Sequence, residues 1–357
     1  MAAEAQGTVI TFDGSHGEGG GQIVRMAVAL SALTSTPVRV VNVRAKRRNP
    51  GLAAQHATAV QAVGKLCGAR LEGVAVGSQS FEFHPGTLRS GSFSFDVGTA
   101  GSVALVLQAC LPAAFAAGNV ELAIRGGTDV PWSPPFDYFG HVFLRLLGRM
   151  GGRARVEVAM RGYYPRGGGL VRVAVEEPPA WQPLRLARRG DIERIAGRAH
   201  ISNLPEAVVK RMKSAALQRL SSFSEVRIHD ETLGQDRAVG PGGAIVLWAE
   251  TPETVLGGTA LAERGKRAEK VGEEAAVELL KEIESGATLD VRAGDQVLVY
   301  AAMAGEPSEF LVREVTEHAR TMMWLLGSFL GTQFEVVPEG GLQRVSVQPR
   351  HPKVAGA

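Results

Sequence analysis

The sequence predicts a mixed α/β fold in which a βαβαββ unit occurs three times and a smaller α/β domain interrupts the third copy. Two observations lead to this prediction. The order of strand-like and helix-like patterns recurs along the chain, and the stretch from about 186 to 270 lacks that order. We therefore expect a three-repeat main domain over 1–185 and 271–357, with an inserted small α/β domain over 186–270.

The first copy can be followed element by element. A short strand is predicted at 8–14, a helix with apolar spacing at 22–33, and an alternating strand at 38–45. A second helix over 49–66 opens with a proline near its first turn and closes at Gly68. The segments ARLEGVAV and FEFHPG then form a strand pair.

The same order returns twice. FSFDVG (93–98) is followed by the helix TAGSVALVLQACLPAAF, the strand NVELAIRG, the helix SPPFDYFGHVFLRLLGRM and two closing strands. The third copy has helices in AGDQVLVYAAMA and EHARTMMWLLGSFLG, with three strands around them, and the helix over 268–285 leads into it. Units of about 80 residues are longer than solenoid repeats, so we expect three packed lobes.

Composition limits the class of protein. Of 357 residues, 45% are apolar and 21% charged, as in ordinary globular enzymes. The chain shows no signal peptide and no apolar run of about 18 residues, so we expect a soluble cytoplasmic protein without a membrane partner. The 2 cysteines lie in apolar settings without a CxxC pair, which fits a reducing compartment and argues against structural zinc.

Several common catalytic motifs are absent from the sequence. It has no GxxxxGK[ST] phosphate loop, no GxSxG nucleophile elbow and no KxDG lysine motif of covalent nucleotidyl transferases. The glycine run GEGGGQIVR (17–25) instead carries a carboxylate, Glu18, near its start and Arg25 at its end.

Basic residues near this glycine run indicate a polyanion pocket. RAKRRNPGLAAQH supplies Arg44, Arg47 and Arg48, followed by Gln55 and His56 in a helix whose free N–H groups favour an anion. Arginine offers forked donors that suit phosphate. The alternative is a charged surface at a strand end, with glycines chosen for backbone geometry.

Three histidines, His56, His141 and His318, fall in the second helix of their repeats. Such a repetition is more often ancestry or packing than function. His318 differs because it lies in TEHART (316–321), at a helix start that disfavours the protonated ring and keeps it nucleophilic. This makes His318 a candidate catalytic residue.

Five segments, taken in order, resemble the RNA 3′-terminal phosphate cyclases over nearly the whole chain. They are GSHGEGGGQIVR, RAKRRNPGLAAQH, GTAGSVALVLQ, GGTDVPWSPPFDY and the late AGDQ…TEHART. The resemblance implies three repeats like the C-terminal domain of translation initiation factor 3, plus a small thioredoxin-like insert.

The resemblance also implies an activity, the ATP-dependent conversion of an RNA 3′-terminal phosphate to a 2′,3′-cyclic phosphate with Mg²⁺ or Mn²⁺. A histidine takes AMP from ATP, AMP passes to the RNA to give RNA(3′)pp(5′)A, and the 2′-OH then expels AMP. The matching nucleophile is His318, the phosphate-handling residues are Arg25, Arg44, Arg47 and Gln55, and the metal ligand is Glu18. The implied ATP contacts are Gln108, Pro135, Arg292, Ala293, Gly294, Asp295 and Gln296.

The sequence departs from the family pattern at two positions. Relatives often carry an aromatic residue or histidine where this chain has Arg292, so the guanidinium is expected to stack on adenine. Relatives often have asparagine where this chain has Met322. Both departures bear on nucleotide contacts and not on the nucleophile.

Two other functions stay open at this stage. One is a non-catalytic cyclase-like RNA-binding protein of ribosome biogenesis, which the retained His318, Gln108, Asp295 and Gln296 argue against. The other is an enolpyruvyl-type transferase of related architecture, which the clustering of arginines in the first repeat argues against. The inserted domain could contact RNA or a second subunit, so a homodimer is also open.

Overall fold

The computed structural model describes residues 9–350, which form a mixed α/β fold. Within this range the strands make four sheets of four strands each. The predicted fold class is therefore confirmed at the level of a mixed α/β protein. The predicted three-repeat domain also takes in residues 1–8 and 351–357, which lie outside the described residues.

The first sheet has the strand order β1-β2-β4-β3, in which β1 and β2 are parallel and the other neighbours antiparallel. Alternate side chains of β2 and β4, such as Val40 and Phe83, are buried, because one face of this sheet is covered by helices. The elements are β1 (Ile10–Asp13), α1 (Gly21–Thr34), β2 (Val38–Val41), α2 (Ala54–Cys67), β3 (Arg70–Glu72) and β4 (Phe81–His84).

Two predicted boundaries in this unit are wrong. The strand predicted over 38–45 ends at Val41, because Asn42 and Arg44 have φ angles of 52° and 53° in the left-handed region. The helix predicted from 49 begins at Ala54, because the Leu52 N–H is bonded instead to the Ser78 carbonyl at 3.0 Å. Residues 42–53 therefore form one long loop.

The second sheet has the order β5-β6-β8-β7 and the same pattern of parallel and antiparallel neighbours. Its second helical segment passes through a π-helical turn, Phe139–Phe143. The elements are β5 (Gly91–Asp96), α3 (Val103–Ala117), β6 (Val120–Gly126), α4 (Phe136–Tyr138), α5 (Leu144–Arg149), β7 (Ala154–Met160) and β8 (Gly169–Val175).

The next strand, β9, is followed by a smaller unit with its own sheet, ordered β11-β10-β12-β13, and its own hydrophobic cluster. Helix α7 packs on this sheet and on α6, and its buried apolar residues, the first Ala268 and the last Ile283, belong to that cluster. The cluster thus continues past the predicted limit at 270, while the division into domains stays a prediction. The elements are β9 (Arg185–Leu186), β10 (Arg194–Ser202), α6 (Ala207–Arg219), β11 (Val226–Leu233), β12 (Gly242–Glu250), β13 (Val255–Leu261) and α7 (Ala268–Ser285).

The remaining sheet has the order β15-β16-β14-β9, so β9 pairs in parallel with a strand that follows it by more than a hundred residues. A strand of two residues is too short to give a sequence pattern, and β9 was not predicted. The elements are α8 (Val291–Met303), β14 (Ser308–Val312), α9 (Glu317–Leu330), β15 (Gln333–Glu339) and β16 (Leu342–Gln348).

Helix α3 lies in the middle of the main core. It is rich in valine, leucine and alanine, and it packs against α1, α2 and α8. Helix α1 also packs against α9, so the first and last helices of the described residues are in contact. Cys67 and Cys110 are both fully buried, as predicted. Within residues 9–350, no helix is both long and apolar enough to span a membrane.

Candidate active site

The glycine turn between β1 and α1 allows two unusually close approaches. A Cβ atom at Gly21 would lie 1.9 Å from Nε2 of His56, so the imidazole of α2 packs directly on the start of α1. Gly17 has a φ of 57°, a backbone conformation that glycine adopts readily, and a Cβ there would lie 2.7 Å from Oγ1 of Thr321 in α9. The turn therefore fits between α2 and α9 only with glycine at these positions.

The loop over 42–53 is attached to this turn by its basic side chains. Arg44 donates from Nη1 to the Gly51 carbonyl at 2.9 Å, which closes the loop on itself. Lys46 donates from Nζ to the Gly17 carbonyl at 3.2 Å. The loop thus presents its cations along the glycine turn.

Glu18 contacts one residue near the start of the sequence and one near its end. Its Oε2 accepts a hydrogen bond from Nη2 of Arg47 at 3.2 Å and lies 3.3 Å from Nδ1 of His318. Side chains of Glu18 and His318 are 41% and 48% exposed, so a substrate can reach both. The structure therefore brings together three of the predicted site residues, one of them from the far end of the sequence.

Helix α9 holds His318 in its first turn. Thr316 caps the helix, since its Oγ1 accepts from the Ala319 N–H at 3.0 Å, a type of contact worth about 1 kcal/mol. The same hydroxyl donates to the Asp295 carboxylate at 2.9 Å. On the other side, Nε2 of Gln22 donates to the His318 carbonyl at 2.9 Å, which ties α1 to α9 at this point.

Arg25 is a buried cation that forms no ion pair within residues 9–350. Its side chain belongs to α1 and only 8% of its surface is exposed. Burial lowers the pKa of its guanidinium to about 10. Burial also lowers the pKa of His56 to about 3, with a further contribution from Arg25 and Arg44, so this imidazole is neutral.

The charge around the glycine turn is therefore strongly positive. Between positions 13 and 56 the sequence contains six lysine and arginine residues and two acids, Asp13 and Glu18. Burial, followed by the neighbouring Arg47, lowers the pKa of Arg44. Cations that depress each other's pKa without enough carboxylates to balance them form a site suited to an anion.

Gln55 links this site to the second unit. Its Oε1 accepts from the Ser102 N–H at 2.8 Å, and the Ser102 hydroxyl lies 2.5 Å from the Ser133 hydroxyl. Ser102 also caps α3 by accepting from the Leu105 N–H at 3.3 Å. The first turn of α2, the start of α3 and the loop over 127–135 therefore meet at one place.

The residues predicted to contact ATP lie in three neighbouring parts of the fold, which are α3, the residue before α4 and the first turns of α8. Pro135 precedes α4, and the hydroxyl of Tyr138 in α4 donates to Oδ1 of Asp290, the cap of α8, at 2.6 Å. This bond brings Pro135 to the region of α8 that holds Arg292 and Asp295. Gln108 is half-buried in α3, which packs against α8.

The five residues of α8 predicted to contact ATP, 292–296, are only partly accessible. Ala293 and Gly294 are buried, while Arg292, Asp295 and Gln296 are half-buried. Arg292 forms an ion pair with Glu278 of α7 at 2.5 Å, which restrains the guanidinium that was expected to stack on adenine. Burial raises the pKa of Asp295 to about 7, against the opposing hydrogen bond from Thr316.

The donor set around Glu18 fits a magnesium ion that keeps most of its water and phosphate ligands. Mg²⁺ takes one or two carboxylates together with substrate phosphates. Glu18 is one accessible carboxylate among cations that attract phosphate. Within residues 9–350, the one cluster of three potential metal ligands is Glu72, Glu82 and His84 on β3 and β4, which does not include Glu18.

Three polar residues at the site were not predicted. Thr316 could have been found, because a threonine just before an apolar helical pattern is a helix-cap signal. Lys46 lay within the predicted basic cluster, and only the fold shows its contact with Gly17. Gln22 carries no sequence signal, since its partner His318 lies almost three hundred residues away.

A comparison with known families decides the relationship. The family model described as RNA 3′-terminal phosphate cyclase matches residues 16–336. The chain belongs to the RNA 3′-terminal phosphate cyclase family. The predicted resemblance is thus confirmed, and the glycine turn, the basic loop and His318 all lie within the matched range.

Individual cyclases agree with this assignment. The chain is 53% identical to the RNA 3′-terminal phosphate cyclase of Nitrosospira multiformis over 339 residues, covering 95% of this chain and 96% of the relative. It is 49% identical to the cyclase of Thermococcus onnurineus, covering 94% and 97%. It is 45% identical to the cyclase of Methanopyrus kandleri, covering 96% and 99%.

Proposed function

We propose that this chain is an ATP-dependent enzyme that converts an RNA 3′-terminal phosphate to a 2′,3′-cyclic phosphate. The observation that carries the proposal is the meeting of His318 and Glu18, at 3.3 Å, with Arg47 bonded to the same carboxylate oxygen. Membership of the cyclase family supports the same reaction. RNA is the natural substrate because the 2′-OH that closes the ring is absent from DNA.

His318 is the proposed nucleophile. Glu18 lies at Nδ1 and favours the tautomer in which Nδ1 carries the proton, so Nε2 keeps its lone pair. Nε2 then attacks the α-phosphorus of ATP, the N–P bond forms, and the bond to pyrophosphate breaks. The carboxylate of Glu18 stabilises the positive charge that the ring acquires in this step.

The resulting phosphoramidate transfers AMP to the RNA. A 3′-phosphate oxygen of the RNA attacks the same phosphorus, the N–P bond breaks, and RNA(3′)pp(5′)A forms. The neighbouring 2′-OH then attacks the activated 3′-phosphorus and AMP leaves. Splitting one difficult transfer into easier ones is the advantage of a covalent intermediate.

Arg25, Arg44 and Arg47 are proposed to bind the phosphates. Phosphoryl transfer depends mostly on positioning and on neutralising charge, and arginine forks supply both. The unpaired charge of Arg25 supports this role, because burying a cation without a carboxylate is costly unless a ligand offsets it. Gln55 positions the start of α3 through Ser102.

Glu18 is also the proposed ligand of a Mg²⁺ or Mn²⁺ ion, which when bound supplies positive charge that polarises the phosphates. Pro135, Gln108 and the accessible residues Arg292, Asp295 and Gln296 are proposed to contact ATP. The bond between Tyr138 and Asp290 supports this grouping, since it joins the loop before α4 to the start of α8.

The three sheets outside the small unit are proposed to be copies of one βαβαββ unit, as in the C-terminal domain of translation initiation factor 3. In each of them the first strand lies at an edge, parallel to the second strand, and the last strand lies between the second and the third, which supports this interpretation. The sheet of the small unit differs, because its first strand, β10, lies inside the sheet. The small unit between β9 and α8 would then be a thioredoxin-like insert. A cytoplasmic location and a homodimer stay predictions.

The cyclisation itself is tested with an RNA oligonucleotide that carries a 3′-phosphate. The wild-type protein with ATP and Mg²⁺ should give a phosphatase-resistant end, whereas omission of ATP should give none. Val337→Ala, a change of an exposed residue on β15, is the control that should leave the rate unchanged. Tight binding of the RNA without any cyclisation would instead favour a non-catalytic RNA-binding protein.

A further inference from the structure

Trp132 is an exposed aromatic residue beside the proposed phosphate site. Its side chain is 95% exposed, the highest value among the exposed large hydrophobic residues within 9–350. Its φ of 62° places a bulky side chain in the left-handed region, which costs free energy and is rare for a residue of this size. Packing and backbone preference therefore both disfavour tryptophan here, and neither explains it.

The loop that carries Trp132 is fixed against the site. Ser133, the next residue, has its hydroxyl 2.5 Å from that of Ser102, whose N–H is bonded to Gln55. The ends of the loop are joined by a hydrogen bond from the Phe136 N–H to the Thr128 carbonyl at 3.1 Å. Trp132 is thus held in solvent by a closed loop, one residue from the contact with the site.

A second exposed aromatic residue lies on the adjoining loop. Tyr164 is 66% exposed, and within 9–350 it and Trp132 are the aromatic members of the exposed large hydrophobic set. Its loop, 162–168, is bonded to the first through the Thr128 N–H and the Gly162 carbonyl at 2.8 Å. A Cβ at Gly167 would lie 2.6 Å from the Thr99 carbonyl, so this loop also packs against the start of α3.

A charged residue, Arg166, continues the exposed surface of Trp132 and Tyr164 towards the small unit. Arg166, in the same loop, is exposed and forms no ion pair within the described range. A Cβ at Gly240, in the loop between β11 and β12, would lie 3.5 Å from Cδ of Arg166. Exposed aromatic rings next to an unpaired cation are the features that bind single-stranded nucleic acid without sequence preference.

We propose that Trp132 and Tyr164 form a stacking track for the RNA chain upstream of its terminal phosphate. The base of the last nucleotide stacks on Trp132, the base before it stacks on Tyr164, and Arg166 contacts the backbone that continues towards the small unit. This inference rests on the proposed placement of the 3′-phosphate beside Gln55 and Arg25. The track would bind the nucleotides of the RNA that the reaction leaves unchanged.

RNA is a better occupant for this surface than the adenine of ATP. The ATP residues proposed above, Pro135 and Arg292, lie where α4 meets α8, and Pro135 is buried. Trp132 precedes Ser133, which faces Ser102 and Gln55 instead. An RNA chain whose 3′ end lies at the anion site must also run from that site across the protein surface. The loops that carry Trp132 and Tyr164 border the site.

The test compares Trp132→Ala, Trp132→Phe and Tyr164→Ala with the control Val337→Ala, using a 3′-phosphorylated hexanucleotide, a dinucleotide and a hexanucleotide whose last nucleotide lacks its base. Loss of one stacked base corresponds to about 5- to 150-fold in affinity. Trp132→Ala should raise the KM for the intact hexanucleotide by such a factor and leave kcat nearly unchanged. Trp132→Phe should restore most of the loss.

Two further comparisons identify the base that each ring contacts. The penalty of Trp132→Ala should disappear on the hexanucleotide without its last base, and Tyr164→Ala should show its penalty on that substrate as on the intact one. Arg166→Gln should weaken binding of the hexanucleotide more than that of the dinucleotide. If all the variants had wild-type KM values for the hexanucleotide, the proposed stacking track would be wrong.

Other outcomes assign the surface to another occupant and also overturn the proposal. A rise in KM for ATP but not for RNA would place adenine on Trp132. Loss of a dimer in sedimentation, with unchanged RNA kinetics, would place a second copy of the chain there. Uptake of AMP from ATP in the absence of RNA distinguishes a failure of this proposal from a failure of the proposed function. This uptake should persist in Trp132→Ala, which changes only the RNA surface, and should be absent from His318→Ala, which lacks the nucleophile.

Discussion

Replacing Arg25 with methionine should make the free protein more stable while abolishing cyclisation. Arg25 is buried in α1 without an ion pair among the described residues, and burial lowers its pKa from 12.5 to about 10. Because the folded-state pKa is the lower one, the charged form destabilises the folded chain at every pH below about 10. At roughly 1.4 kcal/mol per pKa unit, the cost is at most about 3 kcal/mol.

A second buried arginine provides the matched control. Arg161 donates to Asp137 at 2.8 and 2.9 Å and to Asp129 at 3.2 Å, and all three side chains are almost fully buried. Methionine at this position would leave two carboxylates buried without their partner. Arg161→Met should therefore lower the free energy of unfolding by about 3–5 kcal/mol.

Urea unfolding and thermal melting, with and without pyrophosphate, measure both effects. Arg25→Met should gain about 1–3 kcal/mol in free energy of unfolding, and pyrophosphate should raise the melting temperature of the wild type but not that of the variant. A variant that is less stable than wild type, or that pyrophosphate still stabilises equally, would show that Arg25 is a structural residue and not a phosphate ligand.

Three other changes test neighbouring parts of the site. Glu18→Gln should raise the Mg²⁺ concentration needed for half-maximal AMP uptake by about tenfold or more, and an unchanged requirement would remove Glu18 as the metal ligand. Asp295 has a raised pKa of about 7, so the wild type should lose up to ~4 kcal/mol of stability as pH rises from 4 through 7. Asp295→Asn should flatten that profile, and parallel curves for the two proteins would argue against the raised pKa. Gly21→Ala should destabilise the fold by about 1–3 kcal/mol, because its Cβ would meet His56, and a second change, His56→Ala, should recover part of the loss.

The regular elements of the fold could be predicted well from the sequence, because their signals are local. Helix α9 begins within a residue of the predicted start, and β3 and β4 pair as expected. The predicted elements are wrong where contacts between residues far apart in the sequence determine the local structure. Residues 42–53 became a loop because the Leu52 N–H bonds to Ser78, and β9 exists only because β14 pairs with it.

The candidate site was predictable to the extent that the family resemblance supplied it. Nothing in the local sequence relates Glu18 to His318, and their contact depends on α1 packing against α9. The ion pair of Arg292 with Glu278 depends in turn on where α7 lies. Trp132 could not have been selected from the sequence, since neither its exposure nor its positive φ leaves a sequence signal.

The most direct test of the account is to identify the residue that carries AMP. The protein is mixed with ATP labelled at the α-phosphate and Mg²⁺, in the absence of RNA, and the labelled peptide is sequenced by mass spectrometry. The label should be on His318, should be stable to alkali and lost in acid, and should be absent from His318→Ala. Equal labelling of His318→Ala and the wild type would contradict the assignment of the nucleophile.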